Sequence, residues 1–126
     1  MKQRFKLLLD TNIIIDFLKQ KNPVFNLGSL LLQHECFTSI IVKLELLKYP
    51  EITPEDENVI TELLRFIPVM SLNEDIENET ILLSRSTKLK LPDAIIGATA
   101  IVYEAEVVTC DPHFLNCQYK KLRIWK

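Results

Sequence analysis

A chain of 126 residues, 48% of them hydrophobic, is the size of one domain and long enough to bury a core without disulfides or a structural metal. Its two glycines, Gly28 and Gly97, stand too far apart to share a loop, which excludes both a G-x-x-x-x-G-K-[ST] phosphate cradle and a G-x-G-x-x-G dinucleotide turn. With 15 Lys+Arg against 17 Asp+Glu and a formal net charge of -2, the chain has no global attraction for nucleic acid, so an anionic partner must be met by a local basic patch or by bound cations.

In chain order, Phe5 to Leu9 is an apolar-rich run ending at Asp10 and reads as a buried strand. Ile13 to Leu18 follows as a helix that Asp10, Thr11 or Asn12 can cap. A second helical stretch covers Val24 to Gln33, Cys36 to Thr38 is a short strand, and Ser39 caps a helix running to about Lys48 and closed by Pro50. Thr53-Pro54-Glu55-Asp56 opens another helix with a cap, a proline and acids in the first turn. Phe66 to Leu72 is the next strand, and Asn73-Glu74-Asp75 starts a helix through about Leu89. Pro92-Asp93 then starts one ending near Tyr103. Val107 to Thr109 is a strand, Pro112 to Leu115 a turn of helix, and Leu122 to Trp125 a last strand. Strands alternating with helices predict an α/β fold, with helices on both faces of a central mostly parallel sheet of about four or five strands. Ligands are then expected at the carboxyl ends of the strands.

No repeat or linker interrupts residues 1–126, which are read as a single domain. Cys36, Cys110 and Cys117, without a C-x-x-C pair and with no apolar leader, fit a reduced, cytoplasmic protein. No apolar run approaches the roughly 20 residues that span a bilayer.

Four acids fall where this architecture would gather them. Asp10 and Asp111 follow apolar strands, Asp93 opens a helix, and Glu45 lies within one. Asp10, Asp93 and Asp111 also suit helix N-caps, and Glu45 can pair with Lys48. Yet Ile41, Val42, Leu44, Leu46 and Leu47 crowd Glu45, and Asp10-Thr11-Asn12 is a polar island between Leu7-Leu8-Leu9 and Ile13-Ile14-Ile15. A buried carboxylate without a partner costs several kcal/mol, so both demand a cation. Oxygen ligands without supporting His or Cys select Mg²⁺ or Mn²⁺ over zinc.

Leu8-Leu9-Asp10-Thr11-Asn12, Ser39 with Glu45-Leu46-Leu47, Leu91-Pro92-Asp93-Ala94-Ile95-Ile96 with Ala98-Thr99-Ala100, and Val108-Thr109-Cys110-Asp111 with Phe114 together resemble the PIN-domain signature, and more narrowly the VapC toxins of toxin–antitoxin pairs. The resemblance spans essentially the whole chain. It implies a PIN-like three-layer α/β/α fold and a metal-dependent endoribonuclease, with Asp10, Glu45, Asp93 and Asp111 as the acidic quartet holding Mg²⁺ or Mn²⁺. Thr109 matches a position where the family places a hydroxyl beside the metal site, and Asn12 matches an orienting group. Pro112 and His113 depart from the pattern, standing where some relatives carry a further acid or amide. The resemblance also implies an RNA substrate, a homodimer, and a cognate antitoxin whose C-terminal segment approaches the acidic site. Val24 to Leu32 and Ile81 to Leu83 offer apolar surface for such contacts.

RNA contact would rest on local charge. Arg85, Lys88 and Lys90 precede the Pro92-Asp93 motif, and the tail holds Lys120, Lys121, Arg123 and Lys126 without an acid. The acidic stretches Glu51 to Glu62 and Glu74 to Glu79 would point away from RNA. Other readings of the same residues are a stand-alone PIN ribonuclease in RNA processing and a non-catalytic PIN-like binding module. A zinc site using His34 with Cys36, or Cys110, His113 and Cys117, lacks standard spacing. A phosphatase using Asp10 as nucleophile lacks the usual second Asp, since Asn12 stands two residues on, and gives Glu45 no role.

Overall fold

A computed structural model of the chain describes residues 3–19 and 26–126. The elements are β1 (Lys6–Leu9), α1 (Thr11–Leu18), α2 (Leu27–Gln33), β2 (Glu35–Ser39), α3 (Ile40–Leu47), α4 (Pro54–Leu64), β3 (Val69–Met70), α5 (Glu74–Ser86), α6 (Leu91–Val102), β4 (Glu106–Val108) and α7 (Pro112–Leu115). The four strands form one sheet of order β3-β2-β1-β4, parallel at every pairing. No described helix is long and apolar enough to cross a membrane.

Successive strand residues point to opposite faces, so a strand open to water on one side alternates in burial. Leu7, Leu8 and Leu9 are all 0% exposed. Both faces of β1 are therefore covered, and the helices form a layer on each side of the sheet, as an all-parallel sheet requires. On α6, Gly97 lets the helix approach α5, because a Cβ there would meet Leu83 Cδ2 at 3.0 Å and Leu122 Cδ1 at 3.4 Å.

Side-chain oxygens start most helices where the sequence places them: Ser39 accepts from Ile41 N–H, Thr53 from Asp56 N–H and Asn73 from Ile76 N–H. Asn26 caps α2, which begins at Leu27; Val24 and Phe25, the expected start of that helix, lie outside the described residues.

Four expected boundaries move. The strand expected over Phe66 to Leu72 pairs only at Val69–Met70: it is the edge of the sheet, Pro68 has no N–H to donate, and Phe66 and Leu72 lie exposed. The helix expected to reach Leu89 stops at Ser86, because Thr87 turns extended and its hydroxyl donates to Leu83 C=O, closing the last turn. The expected strand Leu122 to Trp125 contracts to one parallel bridge, Val107 to Ile124, since β4 is three residues long and Val107 alone offers its backbone groups there. Finally, α6 starts at Leu91, with Lys90 as its cap residue and no capping side chain. Asp93 thus sits two residues inside the helix, and the reading of it as an N-cap fails.

Candidate active site

The chain leaves β1 toward β2 and β3 and returns on the other side of β1 as β4. Chain connections diverge at the carboxyl ends of β1 and β4, which opens a crevice there. Asp10 follows β1, and its backbone N–H continues the ladder by donating to Val108 C=O at 3.0 Å. On the other flank the Thr38 hydroxyl donates to Leu9 C=O at 2.7 Å, so the point where Asp10 emerges is clamped from both neighbouring strands. Thr109-Cys110-Asp111 leaves β4 beside it.

Asp10 is 4% exposed. Its Oδ1 accepts from Thr11 N–H at 2.8 Å; its Oδ2 accepts from the Thr109 hydroxyl at 2.7 Å and from the Asn12 amide at 3.3 Å. A carboxylate offers about four acceptor positions, so Asp10 keeps room for one more partner. The Thr109 Oγ1 also accepts from Asp111 N–H at 3.0 Å, while Asn12 Oδ1 accepts from Cys110 N–H at 3.2 Å. These bonds tie the exits of β1 and β4 together, fix the Asp10 carboxylate and hold the Asp111 backbone beside it. Burial, opposed by the Thr109 and Thr11 hydrogen bonds and assisted by the charges of Asp111 and Glu45, raises Asp10 above the ordinary carboxylate range.

Glu45 reaches the site from α3. Its Oε1 accepts from the Thr11 hydroxyl at 2.7 Å. The Lys48 ammonium instead lies 5.8 Å from the Tyr49 ring centroid, so a pairing of Glu45 with Lys48 is not formed. Asp93 projects from the first turn of α6, where no described group hydrogen-bonds its carboxylate. Burial, then the charges of Asp111, Asp10 and Glu45, push it up to about 6, with His113 acting in the opposite direction. Asp111 caps α7 by accepting from His113 N–H at 2.9 Å, and the same Oδ1 lies 3.0 Å from His113 Nδ1. Asp93, Asp111 and His113 each present one ligand atom within 4.8 Å of the others.

Among the described residues no lysine or arginine lies within ion-pair distance of Asp10, Glu45, Asp93 or Asp111. Carboxylates converging in a half-buried crevice, with Asp10 and Asp93 holding their protons more tightly than usual and lone pairs left unspent, are the donor set of a hard divalent cation. The chemistry such a set suits is charge stabilisation at a phosphate or carbonyl oxygen.

The structure thus brings together Asp10, Asn12, Glu45, Asp93, Thr109 and Asp111. Thr11 was read from the sequence only as a possible cap, and its position beside Asp10 in the polar island was the available signal. His113 enters the sequence reading as a departure from a pattern and as a zinc candidate with Cys110 and Cys117, not as a neighbour of Asp93 and Asp111. The basic residues stand apart: Arg85, Lys88 and Lys90 are exposed along the passage from α5 to α6, and Lys88 and His113 line a cleft of about 600 Å³ with Thr87, Pro112 and Gln118. Lys120 is exposed, whereas Lys121 pairs with Glu79 at 3.5 Å and Arg123 donates to Glu104 C=O at 2.9 Å.

The zinc reading finds no geometry among the described residues. His34 Nδ1 accepts from Phe5 N–H at 3.1 Å and its ring packs against Phe5 and Trp125. Burial pushes the Cys36 thiol up to about 11, which leaves it a small core residue. Cys110 lies just beyond β4 rather than within it.

The sequence profile of the PIN domain matches residues 7–118. No curated protein matches the chain significantly. Among solved structures, a chain of a toxin–antitoxin complex from Klebsiella pneumoniae is 28% identical, with a TM-score of 0.66 over 86% of this chain and 89% of that one. VapBC-1 from nontypeable Haemophilus influenzae aligns at a TM-score of 0.79 and 22% identity, covering 96% and 97% of the two chains. VapBC2 from Rickettsia felis, bound to a promoter DNA fragment, aligns at 0.78 and 19% identity over 96% and 99%. The last two show a common fold.

Proposed function

The chain belongs to the PIN domain family, and from that premise we propose that it is a metal-dependent endoribonuclease serving as the toxin of a type II toxin–antitoxin pair. One observation carries the nuclease reading: carboxylates from four separate segments converge at the β1/β4 crevice, and among the described residues no lysine or arginine pairs with them. Asp10, Asp93 and Asp111 would hold the cation directly, with Glu45 bound directly or through water. Bound Mg²⁺ or Mn²⁺ would supply the Lewis acidity that makes water a nucleophile at neutral pH and offsets charge on the phosphodiester. Thr109 and Asn12 hold Asp10 in one orientation, and Thr11 does the same for Glu45. Preorganised carboxylates need not rearrange as the reaction proceeds. Lys88 and Lys90, exposed just before α6, are placed to meet backbone phosphates beyond the acidic site.

The toxin reading is supported by the 28% identical chain of the Klebsiella toxin–antitoxin complex. Exposed Leu32, Ile81 and Leu82 offer apolar surface for a homodimer or a partner. A groove of about 490 Å³ lined by Ile15, Leu18, Leu46, Tyr49, Ile52 and Ile60, with Lys19, Glu51 and Asp56 also in its wall, offers an antitoxin segment a largely apolar seat.

Incubating the purified chain with RNA under Mg²⁺, Mn²⁺ or EDTA tests the activity. Cleavage is expected with either cation and not with EDTA, and is expected to vanish in Asp10→Asn while the circular dichroism spectrum is kept. Cleavage that persists in Asp10→Asn overturns the assignment, and RNA binding without cleavage identifies a binding module instead.

A further inference from the structure

The proposed metal centre draws its ligands from carboxylates, yet its acid-rich wall ends in an imidazole. His113 performs its structural task through its backbone, since its N–H satisfies the Asp111 cap at 2.9 Å. The ring is not needed for that cap, and the side chain is 74% exposed, so it fills no core space either. It is nonetheless held against the acids. Nδ1 lies 3.0 Å from Asp111 Oδ1, and a ring nitrogen, an Asp111 oxygen and an Asp93 oxygen lie within 4.8 Å of one another.

These spacings match a coordination shell. Ligands about 2.1 Å from an octahedral cation stand about 3.0 Å apart when adjacent and about 4.2 Å apart when opposite. The 3.0 Å contact between His113 Nδ1 and Asp111 Oδ1 is a hydrogen bond that also has the spacing of adjacent ligands, so a cation can take the place of the shared proton, which leaves to solvent, and the limit spanning all three residues accommodates both arrangements. We propose that His113 is a nitrogen ligand of the cation held by Asp93 and Asp111, and that it turns the centre's preference from Mg²⁺ toward Mn²⁺. The inference rests on the metal-dependent reading above. Its chemical reason is ligand type: both ions accept carboxylates, but Mg²⁺ takes oxygen ligands and gives up its waters reluctantly, so a nitrogen ligand costs Mg²⁺ more than it costs the transition ion Mn²⁺. A sequence with a carboxylate or amide in place of this histidine would present oxygen alone and lose the bias.

The test uses the full chain and free metal ions. Calorimetric titration with Mn²⁺ and Mg²⁺ is run on wild type, His113→Ala, His113→Asp and Asp93→Asn, and pulsed electron paramagnetic resonance is recorded on the Mn²⁺-loaded proteins. The expected result is ¹⁴N coupling to Mn²⁺ in wild type that disappears in His113→Ala. The ratio of Mn²⁺ to Mg²⁺ affinity falls there by at least about tenfold, and falls again in His113→Asp, whose oxygen suits Mg²⁺. If Mn²⁺ binds wild type without ¹⁴N coupling and the ratio is the same in His113→Ala, while Asp93→Asn loses binding, the carboxylate centre stands and the histidine proposal is overturned. If wild type binds neither ion, the metal-dependent reading falls and takes the proposal with it.

Discussion

Replacing Asp93 with asparagine should make the metal-free protein more stable at neutral pH. Burial and the charges of Asp111, Asp10 and Glu45 move the Asp93 carboxyl from 3.8 up to about 6 in the folded state. The folded chain therefore holds that proton more tightly than the unfolded chain does. The contribution of Asp93 to stability is fully present below about pH 4 and is lost as pH rises through about 6. Each tenfold change in proton affinity is worth about 1.4 kcal/mol, which sets a ceiling near 3 kcal/mol; solvent screening at this partly open side chain reduces it to about 1–2 kcal/mol. Asparagine carries no charge and keeps the shape. For a domain of this size the gain corresponds to a melting temperature about 3–8 °C higher. Thermal denaturation in EDTA at pH 7.5 and at pH 4.5 measures it, with the difference expected at the higher pH and shrinking toward zero at the lower. Saturating Mn²⁺ should reverse the order, because it stabilises only the chain that binds it. An Asp93→Asn protein that melts with or below wild type in EDTA at pH 7.5, or whose advantage persists unchanged at pH 4.5, refutes the account of Asp93 as a carboxylate disfavoured by burial and by its acidic neighbours.

Thr109→Val keeps the shape but removes the hydroxyl that donates to Asp10 and accepts from Asp111 N–H; chemical denaturation should show a loss of about 2–3 kcal/mol, most of it retained by Thr109→Ser. Glu104 ends α6 at φ 55, a left-handed position flanked by the paired bonds Glu104 N–H to Ile101 C=O and Ala105 N–H to Ala100 C=O, where glycine is favoured. Glu104→Gly should therefore raise stability by about 0.5–1 kcal/mol in the same denaturation assay. Lys88→Ala should weaken binding of RNA to an uncleaving variant and flatten the logarithmic salt dependence by about 0.7. Lys121→Ala, whose ammonium is already paired with Glu79, should change both less.

The acidic site was legible because its members break a pattern. Asp10-Thr11-Asn12 interrupts leucines and isoleucines, and Glu45 stands among five apolar neighbours, so burial and charge conflict within a few residues of sequence. What escaped depended on contacts distant along the chain. The Thr11 hydroxyl finds Glu45 34 positions away, and nothing in either segment names the other. The cap reading of Asp93 failed on a local ambiguity: proline suits the first turn, and the helix begins one residue before it at Leu91. Phe66 to Leu72 has the composition of a strand, but composition does not say that the segment lies at a sheet edge, where Pro68 withholds a donor. The sequence places His113 near Cys110 and Cys117, but its contact with Asp111 depends on the turn of α7 that sets the ring beside that carboxylate.

The strand order also sets a time of assembly. Asp10 is laid down with the first strand, but the hydroxyl that orients it belongs to a residue 99 positions later, and β4 must dock against β1 before the two meet. Contacts of such span form late, because closing the intervening chain costs entropy before any hydrogen bond repays it. At about 5–20 residues per second, a ribosome needs several seconds to synthesise the chain between these two points. Throughout that interval the emerging polypeptide has Asp10 without Thr109 or Asp111. The constellation therefore comes into being only with the closing of the sheet, when β4 pairs with β1.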